Sequence, residues 1–403
     1  MSTLRSFLVH LLRVILMLAV SSGAVQAAEA SSAKGSLVII GGNLRADNAE
    51  VWQRIVALAG GQGARIAIFP SAAAAPRAVG DAIVARFNQY GADAFLVPLA
   101  VKLEDSDYQK VAEDAALAEA VRTAGGVFFV GGDQARITKA LVREDGSRSA
   151  LLDAVWDVYR KGGVVAGSSA GAAIMSSTMF YAPKTVFATL RAGVQEGQEI
   201  APGLGFIGDD VFVDQHLLVR GRFARMIPAM LKKGYKLGLG IDENTAMVVD
   251  SKRRVEILGH KGALLIDLSH ASTRQDSVGF NVSNVLISYL DRGDQYDLAS
   301  RTFIPSAAKA GGRFDGPSED LYHPVFSPDI LSANAVVSLM EELTNNRRSE
   351  GIGIAVGGPA DLRPEMAFQF TFSKTADSVA YMSSSAYSIF NMRLDIHPIE
   401  LGQ

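Results

Sequence analysis

Lys161-Gly162-Gly163-Val164-Val165-Ala166-Gly167-Ser168-Ser169-Ala170-Gly171-Ala172-Ala173-Ile174 is the stretch on which the fold turns. A short apolar run ends in small residues, and a helix-compatible run follows. This pattern reads as strand, sharp turn, helix. The turn contains G-x-S-x-G with Ser169 at its centre. A serine held at a strained turn leaves no room for bulky neighbours, which accounts for the small residues. The helix start beyond it offers free N–H groups and a positive dipole end, both suited to an oxyanion. The same composition also suits a plain strand-to-helix turn or a phosphate-binding loop. Ser168 stands as a second candidate nucleophile.

Similar apolar runs recur upstream. Leu37 to Ile40 ends at Gly41-Gly42, and Arg65 to Phe69, Ala94 to Val97 and Val127 to Val130 end at Gly, Pro or Ser. Between them, Ala49 to Ala59, Val79 to Tyr90 and Tyr108 to Thr123 carry helical periodicity. Continuous apolar strands alternating with helices predict a parallel sheet covered on both faces. The fold class is therefore α/β, a three-layer sandwich with a mainly parallel sheet. In such folds the site lies at the carboxyl ends of the strands. After about residue 245 the chain reads as β-rich, with strands at Ala246 to Asp250, Arg254 to Leu258 and Ala263 to Leu268. A helix is expected over Leu331 to Thr344, with alternating strands at Met366 to Ser373 and Val379 to Ser385, and further strand content from Ile389 to Ile396. We divide the chain into residues 1–30, a catalytic α/β domain over 31–300, and a C-terminal extension or accessory region over 301–403.

The 403 residues include no cysteine, which removes disulfides, thiolate metal sites and a cysteine nucleophile together. A formal net charge of −3 gives no reason to expect a nucleic-acid partner. Arg5 and Arg13 precede the apolar run Val14 to Val20, and Val25-Gln26-Ala27 fits a small-x-small cleavage site. That is the layout of a secretory signal peptide, and the run is short for a membrane span. The expectation is a secreted protein, extracellular or periplasmic, with no stable membrane anchor. No H-E-x-x-H occurs and the histidines are scattered, so no metal and no cofactor are expected.

A serine nucleophile needs a base within hydrogen-bond reach and a third group that orients it. Of six histidines, His10 lies in the signal segment, His260 reads as a turn, and His323 and His397 precede proline. His216 closes the run Asp210 to Gln215 and is a plausible strand end near the site. Glu243, after the run Gly238 to Asp242, is the acid candidate, with Asp242 as the alternative.

Four segments then occur together: Gly131-Gly132-Asp133-Gln134, the Ser169 turn, Asp214-Gln215-His216 followed by Arg220-Gly221-Arg222, and Gly240 to Ala246. In this order they resemble the cyanophycinases of the S51 serine peptidase family, over roughly residues 35–270. The resemblance implies a class I glutamine-amidotransferase-like fold. It implies Ser169 as nucleophile, His216 as base and Glu243 as acid. The chain order Ser, His, acid differs from that of lipases and esterases. Gln134, Asp214, Gln215, Arg222, Arg225 and Asn244 are implied as substrate contacts, and N–H groups at Gly132 and Ala170 as the oxyanion hole. The implied substrate is cyanophycin, a poly-aspartate with arginine on each β-carboxylate, cleaved in its backbone to β-Asp-Arg. Dipeptidase activity on aspartyl or isoaspartyl peptides and polymer binding without catalysis are the competing readings. The signal peptide and the stretch after residue 300 resemble the extracellular members. Whether the chain forms a homodimer is left open.

Overall fold

The computed structural model describes residues 35–274, 279–314, 322–358, 366–383 and 386–400; the expected signal peptide lies outside them. The strands in chain order are β1 (Ser36–Ile40), β2 (Arg65–Phe69), β3 (Asp93–Leu96), β4 (Gly126–Phe129), β5 (Val164–Ser168), β6 (Thr178–Phe180), β7 (Ile200–Pro202), β8 (Val211–Gln215), β9 (Leu237–Ile241), β10 (Thr245–Val249) and β11 (Arg254–Gly259). They continue with β12 (Ala263–Asp267), β13 (Val282–Leu290), β14 (Gln295–Asp297), β15 (Thr302–Ile304), β16 (Arg313–Phe314), β17 (Phe326–Ser327), β18 (Glu350–Val356), β19 (Met366–Ser373), β20 (Val379–Met382) and β21 (Tyr387–Glu400).

The first five strands form the parallel part of the first sheet, in the order β1-β5-β4-β2-β3. Side chains alternate between the faces of a strand, so a run that is apolar throughout needs cover on both sides. Val38, Ile40, Ile66, Ile68 and Phe128 pack with Trp52 and Ile55 of helix Ala49–Leu58 and Phe87 of helix Pro76–Gln89. Leu37, Ile39, Ala67, Phe69, Val127 and Phe129 pack with Val121, Ile137, Leu151 and Val155 from helices Ala115–Arg122, Gln134–Leu141 and Ala150–Arg160. These two cores give the expected three layers. Four antiparallel strands, β10, β11, β14 and β15, extend the sheet beyond β1.

Two sequence expectations change in detail. The helix expected over Tyr108 to Thr123 is two helices, Tyr108–Ala112 and Ala115–Arg122, because the Asp114 side chain accepts the Leu117 N–H and caps a new start. The helix expected from Leu331 begins at Ala335, after Asn334 in a left-handed conformation.

A second sheet runs β8-β9-β12-β13-β21-β19-β18-β17, and only its two end pairs, β8–β9 and β17–β18, are parallel. Its apolar face buries Phe368, Phe370, Phe372, Leu394 and Ile396 against helices Phe223–Lys233 and Ala335–Thr344. Strand pairing crosses residue 300, since β13 pairs with β21. Apart from β15, which pairs with β14 at the edge of the first sheet, the described strands after residue 300 thus continue the sheet that carries β8 and β9.

Candidate active site

Three strand ends converge. β5 stops at Ser168, and Ser169 has φ 55° and ψ −106°, outside the broad allowed regions for a residue with a side chain. Gly167 and Gly171 make this turn: a Cβ on Gly167 would lie 2.2 Å from the Gly171 carbonyl oxygen. β8 stops at Gln215, and His216 turns the chain with φ 50°. β9 stops at Ile241, and Glu243 sits in the short turn before β10.

Ser169 Oγ lies 2.8 Å from His216 Nε2, and His216 Nδ1 lies 2.5 Å from Glu243 Oε1. A carboxylate opposite Nδ1 fixes that nitrogen as the N–H, which leaves the Nε2 lone pair to accept the serine hydroxyl. His216 is buried, and burial is the main cause of its depressed pKa; Arg220 and Arg222 push the same way, while the hydrogen bond to Glu243 opposes. At Glu243 burial works upward. Hydrogen bonds from Asn43 and His216 outweigh it and hold the carboxyl below the ordinary range. The row is therefore a neutral imidazole between a hydroxyl and a carboxylate.

Asp242, the other acid left open by the sequence, is fully buried. Its carboxylate accepts the Leu218 and Val219 N–H groups at 3.1 Å each and pairs with Lys261 at 2.9 Å. It braces the loop after His216 and does not contact the imidazole. Ser168 borders the cleft, but the hydroxyl facing the base belongs to Ser169.

The row opens on a cleft of about 560 Å³. Gln134, Gln215, Arg222 and Arg225 line it together with Arg220, Asn43 and Gly132. Gln134 donates through Nε2 to the Phe180 carbonyl at 2.7 Å, which leaves its amide oxygen as an acceptor. Arg222 donates to the backbone and side-chain oxygens of Gln215 at 3.0 Å each, and burial lowers its pKa to about 10. Arg225 stacks over Phe180, 4.0 Å from the ring centre, and makes a two-pronged ion pair with Asp214 at 2.7 and 2.8 Å. Asp214 is only 1% exposed, so it stands behind Arg225 and orients it, away from the cleft wall.

Asn244, implied as a substrate contact, is turned elsewhere. Its side-chain oxygen accepts the Arg45 N–H at 3.0 Å and the Asn48 amide at 2.9 Å, which ties it to the turn before helix Ala49–Leu58. At the implied oxyanion hole, the N–H groups of Gly132 and Ala170 donate to no carbonyl among the described residues. Gly132 has φ 144°, and a Cβ there would lie 2.1 Å from the Ala72 carbonyl oxygen. Asn43 was not singled out by the sequence reading. Its signal was available: an asparagine directly after Gly-Gly at the end of an apolar strand, where left-handed backbone favours that residue. Among the described residues, no group of three or more metal-ligating side chains is assembled.

A serine hydroxyl, a neutral imidazole and a carboxylate in one hydrogen-bonded row have the arrangement found in serine hydrolases. Comparison with known proteins gives the lineage: residues 37–257 match the model of peptidase family S51, and the chain belongs to that family. The chain is 31% identical over 278 residues to a cyanophycinase of Trichormus variabilis, covering 67% of this chain and 87% of the relative. It is 32% identical over 274 residues to a cyanophycinase of Geminocystis herdmanii, covering 66% and 94%. Among solved structures, a peptidase from an acI-B1 actinobacterium is similar, with a TM-score of 0.44 and 22% identity over 58% of this chain and 91% of that one.

Proposed function

We propose that this chain is a secreted cyanophycinase, which hydrolyses the aspartate backbone of cyanophycin and releases β-Asp-Arg dipeptides. The observation that carries the reading is the row Ser169 Oγ, His216 Nε2, His216 Nδ1, Glu243 Oε1, with its contacts of 2.8 and 2.5 Å. His216 takes the Ser169 proton as the oxygen attacks the scissile carbonyl carbon, and Glu243 stabilises the imidazolium. The negative charge gathers on the former carbonyl oxygen, toward the N–H groups of Gly132 and Ala170. The C–N bond then breaks, and His216 returns the proton to the leaving amine. Water, activated by the same imidazole, resolves the acyl-enzyme and regenerates Ser169.

The cleft supports the substrate class. Each cyanophycin unit carries a guanidinium and a free carboxylate. Arginine forks match carboxylates, and amide oxygens accept from guanidinium groups. Asp214 neutralises Arg225, so the remaining cationic recognition rests on Arg220 and Arg222, beside the acceptor oxygen of Gln134. Secretion rests on the charged, apolar and small-residue zones of residues 1–30. The test is to incubate the purified protein with insoluble cyanophycin and, separately, with Asp-X dipeptides. The expected product from the polymer is β-Asp-Arg, identified by mass. An untouched polymer with cleaved dipeptides would overturn the substrate assignment.

A further inference from the structure

The end of β1 touches every member of the row. The Ile40 carbonyl accepts the Ser169 N–H at 2.9 Å. The Gly41 carbonyl accepts the His216 N–H at 2.9 Å, and the Gly42 carbonyl accepts the Asn244 N–H, next to Glu243, at 2.8 Å. Three consecutive carbonyls thus fix the backbone at or beside the nucleophile, the base and the acid. These partners come from both sheets: Ser169 follows β5 of the first, while His216 and Glu243 follow β8 and β9 of the second.

The side chains of the segment are matched to this work. A Cβ on Gly41 would lie 2.1 Å from the Asp242 carbonyl oxygen. A Cβ on Gly42 would lie 2.2 Å from His216 Cε1, and Gly42 has φ 119°, a conformation reserved for glycine. The imidazole therefore rests directly on the Gly42 backbone. The next residue, Asn43, has φ 46° and borders the cleft, and its carboxamide is near enough to Glu243 to help hold that carboxyl below the ordinary range.

We propose that Ile40–Asn43 is the positioning template of the site: its carbonyls align Ser169, His216 and Glu243, Gly42 seats the imidazole, and Asn43 holds the Glu243 carboxylate through its N–H donor. The proposal rests on the Ser169-His216-Glu243 reading. Asn43 and Gly42 act through other residues and are positioning residues, not catalytic ones.

The test uses the full mature chain with Asn43→Gly, Asn43→Asp and Gly42→Ala. Asn43→Gly keeps the left-handed backbone and removes the donor. Asn43→Asp keeps shape and backbone preference and replaces the donor with a second carboxylate beside Glu243. A lost hydrogen bond to a charged group predicts a fall in kcat of about tenfold or more for Asn43→Gly, with KM held within about twofold. Asn43→Asp is expected to fall by about a hundredfold, the reverse of what a shape-only role would give. Gly42→Ala is expected to lose turnover as well. Should that variant fail to fold, the Asn43 pair decides. The downfield NMR resonance of the His216 Nδ1 proton gives a readout without substrate. It is expected in the parent chain and shifted or broadened in both Asn43 variants, most in Asn43→Asp. An Asn43→Asp enzyme with parental kcat, or an unmoved Nδ1 resonance, overturns the template. Failure of the parent chain on cyanophycin with the resonance behaving as expected overturns the substrate reading and leaves the template standing.

Discussion

Two clusters among the described residues link a serine, a nitrogen-bearing side chain and a carboxylate by hydrogen bonds and make an instructive pair. At the ends of β5, β8 and β9 the three are Ser169, His216 and Glu243. Between the β13–β14 turn and β21 they are Ser388, Lys309 and Asp294. In the second cluster Lys309 lies 2.8 Å from Asp294 and donates to Ser388 Oγ at 2.6 Å, while the Ser388 hydroxyl donates to the Asp294 carboxylate. All three residues are 0% exposed. The difference lies in where the serine proton points and what surrounds it. Ser169 directs its proton at a neutral imidazole and faces a cleft. Ser388 directs its proton at a carboxylate and accepts one hydrogen bond from an ammonium, whose nitrogen has no lone pair to act as a base. A serine and a carboxylate joined through a nitrogen-bearing side chain form a row open to a cleft in one setting and a sealed pin in the other.

Mutation separates the two settings. Ser169→Ala is expected to lower kcat by at least about 10⁴-fold, with the urea unfolding midpoint kept. Retained turnover would remove Ser169 from the nucleophile's role. Lys309→Met leaves the Asp294 carboxylate buried without its cation, a change that costs about 3–5 kcal/mol. Equilibrium unfolding should show that loss, while kcat per folded molecule stays unchanged; a fall in kcat with unchanged stability would give the pin a function it is not assigned here. The smallest effect concerns pH. His216 works as a base only when neutral, and burial foremost, with help from Arg220, depresses its pKa below the ordinary 6.5. Activity should therefore persist as pH falls past the ordinary imidazole range and fail only through the lowered pKa. Arg220→Gln removes one depressing charge, so the acid limb of kcat/KM should move to higher pH. A limb that stays in place or moves down contradicts that electrostatic account.

The parallel half was legible because its physics is local. Strands covered on both faces must be apolar throughout, and β1 to β5 appear as such runs within a residue or two of their ends. Ser169, His216 and Glu243 were nominated for the same reason, as polar residues closing apolar runs. The second sheet was not read as a sheet. Its strands are recruited from residues 211–400, and pairings such as β13 with β21 depend on register across a long separation that periodicity does not carry. The site residues that escaped, or were misplaced, act through geometry of that kind. Asn43 borders the cleft because β1 ends against the turn that follows β9, where a Cβ on Gly41 would meet the Asp242 carbonyl, and Asn244 leaves the cleft because Asn48 and Arg45 hold its side chain. Asp214 carries a charge suited to a ligand, yet its two oxygens are taken by Arg225 eleven residues later.

Ser169 follows β5 of the first sheet, His216 follows β8 of the second, and Glu243 lies in the turn that passes from β9 of the second to β10 of the first. The hydroxyl meets its proton acceptor only where the two sheets come together, at the end of β1. A change that shifts one sheet against the other therefore parts the hydroxyl from the imidazole, whichever sheet it is made in.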